Sequence, residues 1–459
     1  GTLVRVTREN KKSIAYDPIT GAEIGEIGRR DGRKVKVNNG LRRTIRAALS
    51  VLTLRDPNPF KRIEAAEAAF KSADPEQLPA LKAALEAEEN PTVTAALTTA
   101  IAATTLASDE PAEAKLEAIS LMREQGDQDA LSVLAPLMED EALGQAATEA
   151  VTAIERTQAL WGIGQNVWHG LSLGSVLLLA AIGLAITFGV MGVINMAHGE
   201  LVMIGAYTTF AVQEVIRNSA PELFGYSLLI AAPLAFLVAG LTGVGIERGV
   251  VRFLYGRPLE TLLATWGISL ILQQTVRSIF GPNNREVGNP DWMSGAFELG
   301  QITITYNRLW ILIFALIVFF GLLMVLKRTP LGLQMRAVTQ NRAMAANMGI
   351  RTGWVDAMTF GLGAGIAGLA GVALSQIDNV SPNLGQSYIV DSFMVVVFGG
   401  AGNLWGALAG AFSLGIANKF LEPYTGAVLA KILVLVAIIL FIQKRPRGLF
   451  AVRGRAVEA

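Results

Sequence analysis

Six consecutive residues set three polar side chains into an otherwise apolar stretch: Asn195-Met196-Ala197-His198-Gly199-Glu200. A charge at mid-bilayer costs roughly 2.5–3.5 kcal/mol on insertion scales, so Glu200 would need a partner or a cavity there. Asn195, His198 and Glu200 either line a solute path or mark a helix break. The alternative puts His198 and Glu200 at the cytoplasmic interface, where the cost is small. Metal binding lacks ligands, because the other histidine is His169 and the chain has no cysteine. A second polar set is uncharged. Thr261, Thr265 and Ser269 recur every fourth residue and share one helix face, flanked by Trp266 and Gln273. That face either lines a path for a small neutral polar solute or makes interhelical hydrogen bonds.

The stretch 334–348 (QMRAVTQNRAMAANM) predicts one short amphipathic helix closed by Gly349. It presents Arg336, Gln340, Asn341, Arg342, Met344 and Met348. Met and Arg on a cytoplasmic helix suit docking into a groove of another protein. The other reading is a helix lying on lipid headgroups. Gly363-Ala364-Gly365-Ile366-Ala367-Gly368 matches G-x-G-x-x-G, but it lies inside an apolar helix with no preceding strand. Close helix packing accounts for it better than a dinucleotide site. No G-x-x-x-x-G-K-[ST] occurs, so the chain has no Walker-type ATP site, and no catalytic constellation is visible. The sequence reads as a non-enzyme.

The elements that must position these residues are spans. From Thr157 to Gly199, 43 residues, there is no Asp, Glu, Lys or Arg. A helix in water needs a wet face, so such a stretch does not belong in a soluble domain. Apolar runs follow at 170–190, 199–216, 227–246, 259–279, 309–326, 355–377, 391–418 and 427–443, most near the roughly 20 residues a span needs. Arg248, Arg252 and Arg257, then Lys327, Arg328, Arg336, Arg342 and Arg351, then Lys444, Arg445 and Arg447 mark three connections as cytoplasmic. Counting back, 170–190 enters from outside. An outside start and a cytoplasmic end need an odd number of crossings, so one of the eight runs is broken or re-entrant. The candidate is 391–418, interrupted by Gly399-Gly400-Ala401-Gly402-Asn403, which adds Asn403 to the candidate path.

The first 160 residues are charged and differ in kind. Residues 1–40 read as short strands at 3–6, 13–16, 22–27 and 34–37, a small β-meander. Residues 41–160 read as a soluble α-helical repeat domain, in which Asp56 to Glu86 aligns without gaps on Asp109 to Glu139 at an offset of 53. Such units resemble HEAT-type α-solenoids; the alternative is an irregular bundle. The fold expected is thus an all-α polytopic membrane protein of about 7–9 transmembrane segments, some broken or re-entrant, over 161–459. The net charge of +1 gives no argument for a nucleic-acid partner.

GVINMAHGELVMIGAY at 192–207, the 334–350 helix and FGGAGNLWGALAG at 398–410 resemble membrane permeases of the branched-chain amino acid ABC importer family. The stretches at 257–270, 337–350, 365–397 and 418–432 are closer still to the urea ABC transporter permeases of that family, as is the helical N-terminal extension. The resemblance covers roughly 30–459. It implies a multi-pass subunit of a bacterial inner membrane; the charge pattern counted above places the N-terminal domain outside the cytoplasm. Its partners would be a second permease, two cytoplasmic ATPases that bind ATP and magnesium, and an extracytoplasmic solute-binding protein. The 334–348 helix would carry ATPase movement into the membrane. A branched-chain amino acid permease, a stand-alone urea or amide channel, and a membrane-anchored scaffold are the competing readings.

Overall fold

The computed structural model describes residues 4–9, 12–16, 22–26, 53–446 and 448–450. The chain divides into two compact units, Gly1–Gln158 and Ala159–Ala459. In the first, β1 (Arg5–Glu9), β2 (Lys12–Tyr16) and β3 (Glu23–Glu26) form an antiparallel sheet in chain order. The strand expected at 34–37 lies outside the described residues.

The helices that follow obey the sequence offset. α1 (Pro59–Ser72) and α4 (Ala112–Gln125) begin and end 53 positions apart. α2 (Leu78–Glu86) corresponds to α5 (Gln128–Leu134) with the 3₁₀ turn Ala135–Glu139. α3 (Pro91–Ala107) starts 53 residues before α6 (Gly144–Met191). Asn58, Asn90 and Asp127 cap their helices by accepting backbone N–H bonds, and Pro59 and Pro91 hold first-turn positions where no donor is lost. The Arg62 guanidinium forks onto Glu88 at 2.7 and 2.9 Å and holds that carboxyl below the ordinary range. The pair ties α1 to the turn before α3. The shared core runs through Leu81, Leu97, Met122, Leu134 and Ile154.

One local mismatch breaks the symmetry. The residue after α4 is Gly126 at φ +67°, whereas the equivalent residue after α1 is Ala73 at φ +43°. Left-handed backbone costs an L-residue roughly 1–2 kcal/mol and glycine almost nothing.

The second unit continues along α6 and adds α7 (His198–Ser219), α8 (Ser227–Gly249), α9 (Pro258–Phe280) and α10 (Tyr306–Arg328). Two short helices follow, α11 (Pro330–Gln340) and α12 (Arg342–Asn347). Then come α13 (Thr352–Leu374), α14 (Leu384–Gly399), α15 (Leu404–Thr425) and α16 (Ala427–Lys444). A hairpin, β4 (Ala296–Leu299) and β5 (Ile302–Thr305), lies between α9 and α10. Among the described residues, six helices are long and apolar enough to cross a membrane: α6, α8 with its flanking turns, α10, α13, α15 and α16. The apolar stretches of α6 and α13 are 83% buried, against 22% for α10 and 17% for α16. The outer helices turn Ile317, Phe320, Met324, Val428 and Leu440 outward. Apolar groups facing out while the centre is close-packed is the pattern of a protein whose solvent is hydrocarbon.

One sequence expectation holds here, the interruption at 399–403, and one needs correction, the helix at 334–348. The run 391–418 is two helices, because Gly400 and Gly402 take φ of +101° and +81° and Asn403 caps the next helix. The single helix expected at 334–348 is also two. Asn341 is extended (φ −153°), and its Oδ1 accepts the Met344 N–H at 2.9 Å, which starts α12. α12 ends as expected at Gly349, with N–H bonds from Gly349 to Ala346 and from Ile350 to Ala345.

The glycines of α13 are its points of contact. A Cβ on Gly363 would lie 2.6 Å from the Gly183 carbonyl of α6, and on Gly368 2.5 Å from the Ala235 carbonyl of α8. On Gly371 it would lie 2.0 Å from the Val202 carbonyl of α7. Backbone meets backbone on three sides, so the G-x-G-x-x-G match belongs to packing.

Three outcomes are expected. Gly371→Ala should lower the melting temperature of the detergent-solubilised protein, by an overpacking cost of about 1–3 kcal/mol. Gly245→Ala, where a Cβ meets nothing within 4 Å, should leave it unchanged. In the first unit, Ala73→Gly should raise hydrogen-exchange protection of the α1–α3 amides, by about 0.5–1 kcal/mol. Lower protection would show that Ala73 is not strained.

Candidate functional site

α6 stops at Gly192, which takes φ +69° and donates its N–H to the Phe188 carbonyl at 2.9 Å. Residues 192–197 are not helical. Asn195 Oδ1 accepts the Ala197 N–H at 3.0 Å and turns the chain into α7. His198 then opens α7 and makes a 2.8 Å contact from Nε2 to the Ala180 carbonyl of α6. A carbonyl only accepts, so Nε2 carries the proton. Asn195, His198 and Glu200 are all buried, at 0%, 1% and 1% exposure.

The uncharged face of α9 is turned toward this break. Thr261, Thr265, Ser269 and Gln273 are buried, whereas Trp266 is 50% exposed and points away from them. Thr265 Oγ1 accepts the Met196 N–H at 3.1 Å. Gln273 Nε2 donates to Glu200 Oε1 at 2.8 Å. Thr261 bonds the Leu254 and Arg257 carbonyls at the start of its own helix. At 1.5 Å per residue, Thr265 and Gln273 lie about 10 and about 22 Å along α9 from Pro258. The break and Glu200 therefore flank the interior of a 23-residue helix, not one of its ends. Asn195 Nδ2 and His198 Nδ1 are buried without a hydrogen-bond partner. Unpaired polar atoms at this depth are unusual and give the break capacity for one more polar guest.

Asn403 is placed differently. Its Oδ1 accepts the N–H groups of Trp405 and Gly406 at 3.0 and 3.2 Å, so it is the cap of α15. Beside it, the Leu449 and Phe450 N–H groups donate to the Phe398 and Gly399 carbonyls at 2.9 and 3.2 Å. These carbonyls end α14 and would otherwise lack partners. A cavity of about 230 Å³ among α8, α10 and α13 is lined by apolar side chains with Trp292, Trp310 and Gln376, and holds none of the candidate residues.

Along α11 and α12, the candidates divide. Met344 and Met348 are 59% and 77% exposed. Gln340 is exposed, and Asn341 serves as the cap. Arg336 instead bonds the Leu326 carbonyl of α10. Arg342 is drawn to Asp356. Sequence reasoning passed over Asp356, Glu247, and the pair Asp391–Lys431 at 3.0 Å. The signal present was a lone acid or base within or at the edge of an apolar run.

This is the arrangement of a polytopic membrane protein with broken helices. The chain belongs to the family described as branched-chain amino acid transport system permease components, whose model matches residues 166–442. It is 31% identical over 296 residues to the high-affinity branched-chain amino acid transport permease LivH of Escherichia coli K12, covering 62% of this chain and 94% of that one. It is 30% identical over 292 residues to BraD, the corresponding permease of Pseudomonas aeruginosa, with the same coverage. The ribose import permease RbsC of Haemophilus influenzae is 24% identical over 286 residues, covering 60% and 84%. No solved structure matches the chain.

The Glu200–Gln273 bond gives a direct test. Gln273→Leu should destabilise the solubilised protein by about 1–2 kcal/mol, since a carboxylate is left buried and unbonded. Adding Glu200→Gln should recover most of that loss. A coupling near zero in the double-mutant cycle would mean that the two side chains do not depend on each other.

Proposed function

We propose that the chain is a membrane subunit of an ATP-driven ABC importer whose solute is urea or a closely related small amide. The observation that carries the importer reading is the lever. α11 and α12 lie in the strongly basic connection between α10 and α13 and hold Met344 and Met348 out from the molecule. Flexible, polarisable side chains on a helix suit a groove of a partner. With no phosphate-binding loop of its own, the chain would take its energy from two partner ATPases loaded with ATP and magnesium. A second permease would complete the path, and a binding protein would deliver the solute.

Counting α7, α9 and the shorter α14 as spans gives nine crossings, an odd number. That count suits basic connections on the cytoplasmic side and places the first unit outside the cytoplasm. We read the first unit as a HEAT-type stack serving a partner there.

For the solute, the blocks at 257–270, 337–350, 365–397 and 418–432 resemble urea permeases. The chemistry agrees in kind: Thr265, Gln273, Asn195 and His198 are buried polar side chains that suit an uncharged guest. The names LivH and BraD favour a branched-chain amino acid as the second reading. A zwitterion would need opposite charges in the path. Asp391 and Lys431 already neutralise each other.

Reconstitution with the co-purified partners separates these readings. Labelled urea should enter proteoliposomes only with ATP, and leucine should not compete. ATP-dependent leucine uptake would replace the solute assigned here. Urea flux without ATP or partners would replace the importer with a channel.

A further inference from the structure

Arg342 is the first residue of α12, at the junction of the two lever helices; its side chain is 45% exposed, yet its guanidinium reaches a buried partner. Its Nη1 donates to Asp356 Oδ1 at 3.1 Å and its Nη2 to Asp356 Oδ2. Asp356 lies in the second turn of α13 and is completely buried. The guanidinium also lies over the Tyr255 ring, 4.9 Å from its centroid. The Tyr255 hydroxyl in turn donates to Glu247 Oε1 at 3.0 Å. Glu247, at the end of α8, is 1% exposed, and its other oxygen has no hydrogen-bond partner, with Arg248 Nε 3.7 Å from the carboxylate. Four side chains thus join α12, α13 and α8 in one connected polar chain.

A fork of two parallel bonds fixes both distance and orientation, which a single lysine contact does not. A fully buried carboxylate cannot leave its cation cheaply, so α12 is held to α13 unless both move together. α13 and α8 are packed backbone to backbone, and α13 bears in the same way on α7 next to Glu200. A displacement of the lever is therefore delivered to the helices around the α6–α7 break.

We propose that Arg342 is a positioning residue that ties the lever to α13 and α8 through Asp356 and Tyr255, and does not itself touch the ATPase. The inference rests on the importer reading above. It assigns the partner contact to the exposed Met344 and Met348 and the transmission of movement to Arg342, whose guanidinium is held by Asp356.

The test uses the assembled complex in proteoliposomes, with two readouts: ATPase subunits retained on purification, and solute imported per ATP hydrolysed. Arg342→Gln should retain the ATPase and its hydrolysis, while solute per ATP falls about tenfold, within the usual range of coupling between sites. Arg342→Lys should recover only part of the loss. Met348→Asp should instead lose the ATPase. Because Asp356→Asn alone leaves a cation against a buried amide, the double variant Arg342→Gln with Asp356→Asn serves as control. It removes both charges and should still show the uncoupled ratio. The proposal is overturned if Arg342→Gln sheds the ATPase as Met348→Asp does, or if the double variant folds and keeps the wild-type ratio. A wild-type complex without ATP-dependent import would instead remove the importer reading itself, before any variant is made.

Discussion

The second unit depends on contact between bare backbones along α13. Where two helices meet through glycine, there is no side chain to yield, and separation of the axes is set by the peptide groups themselves. In hydrocarbon no hydrophobic force pushes helices together, so close van der Waals packing has to hold them. Gly363, Gly368 and Gly371 place α6, α8 and α7 around one axis. That arrangement presses the 192–197 break against α9 and brings Glu200 within reach of Gln273. Without it, a buried carboxylate would face lipid.

Much of this was legible in the residues. The 53-residue offset recurs in the helices, with α1 and α4, and α3 and α6, starting 53 positions apart, and Asn and Asp caps such as Asn58, Asn90 and Asp127 act locally. The break after Gly399 was legible for the same reason: glycines at positive φ and an asparagine cap need no tertiary information. The four-residue spacing of Thr261, Thr265 and Ser269 named a common face. What the spacing left open was what that face meets, and three of its partners lie some 70 positions away in the chain.

The lever shows the limit from the other side. Arg336, Arg342 and Met344 look equivalent on an amphipathic pattern, since all are expected at a wet surface. Their fates differ because Leu326 offers Arg336 a carbonyl and Asp356 offers Arg342 a buried carboxylate. The split at Asn341 was missed because asparagine in a helical pattern reads as a tolerated polar residue. Here its side chain caps the following helix, and the change of axis lets the arginine after it turn inward.

The bonds from Leu449 and Phe450 to the end of α14 carry an implication for biosynthesis. Asn403 and Phe450 are 47 residues apart in sequence, and α15 and α16 lie between them. During synthesis, α14 is made while the carbonyls of Phe398 and Gly399 still lack those donors. They stay open until two more helices have been threaded and the segment at 448–450 has folded back beneath. Until then water or another donor has to satisfy these two carbonyls, so the end of α14 is completed only by a part of the chain made two helices later.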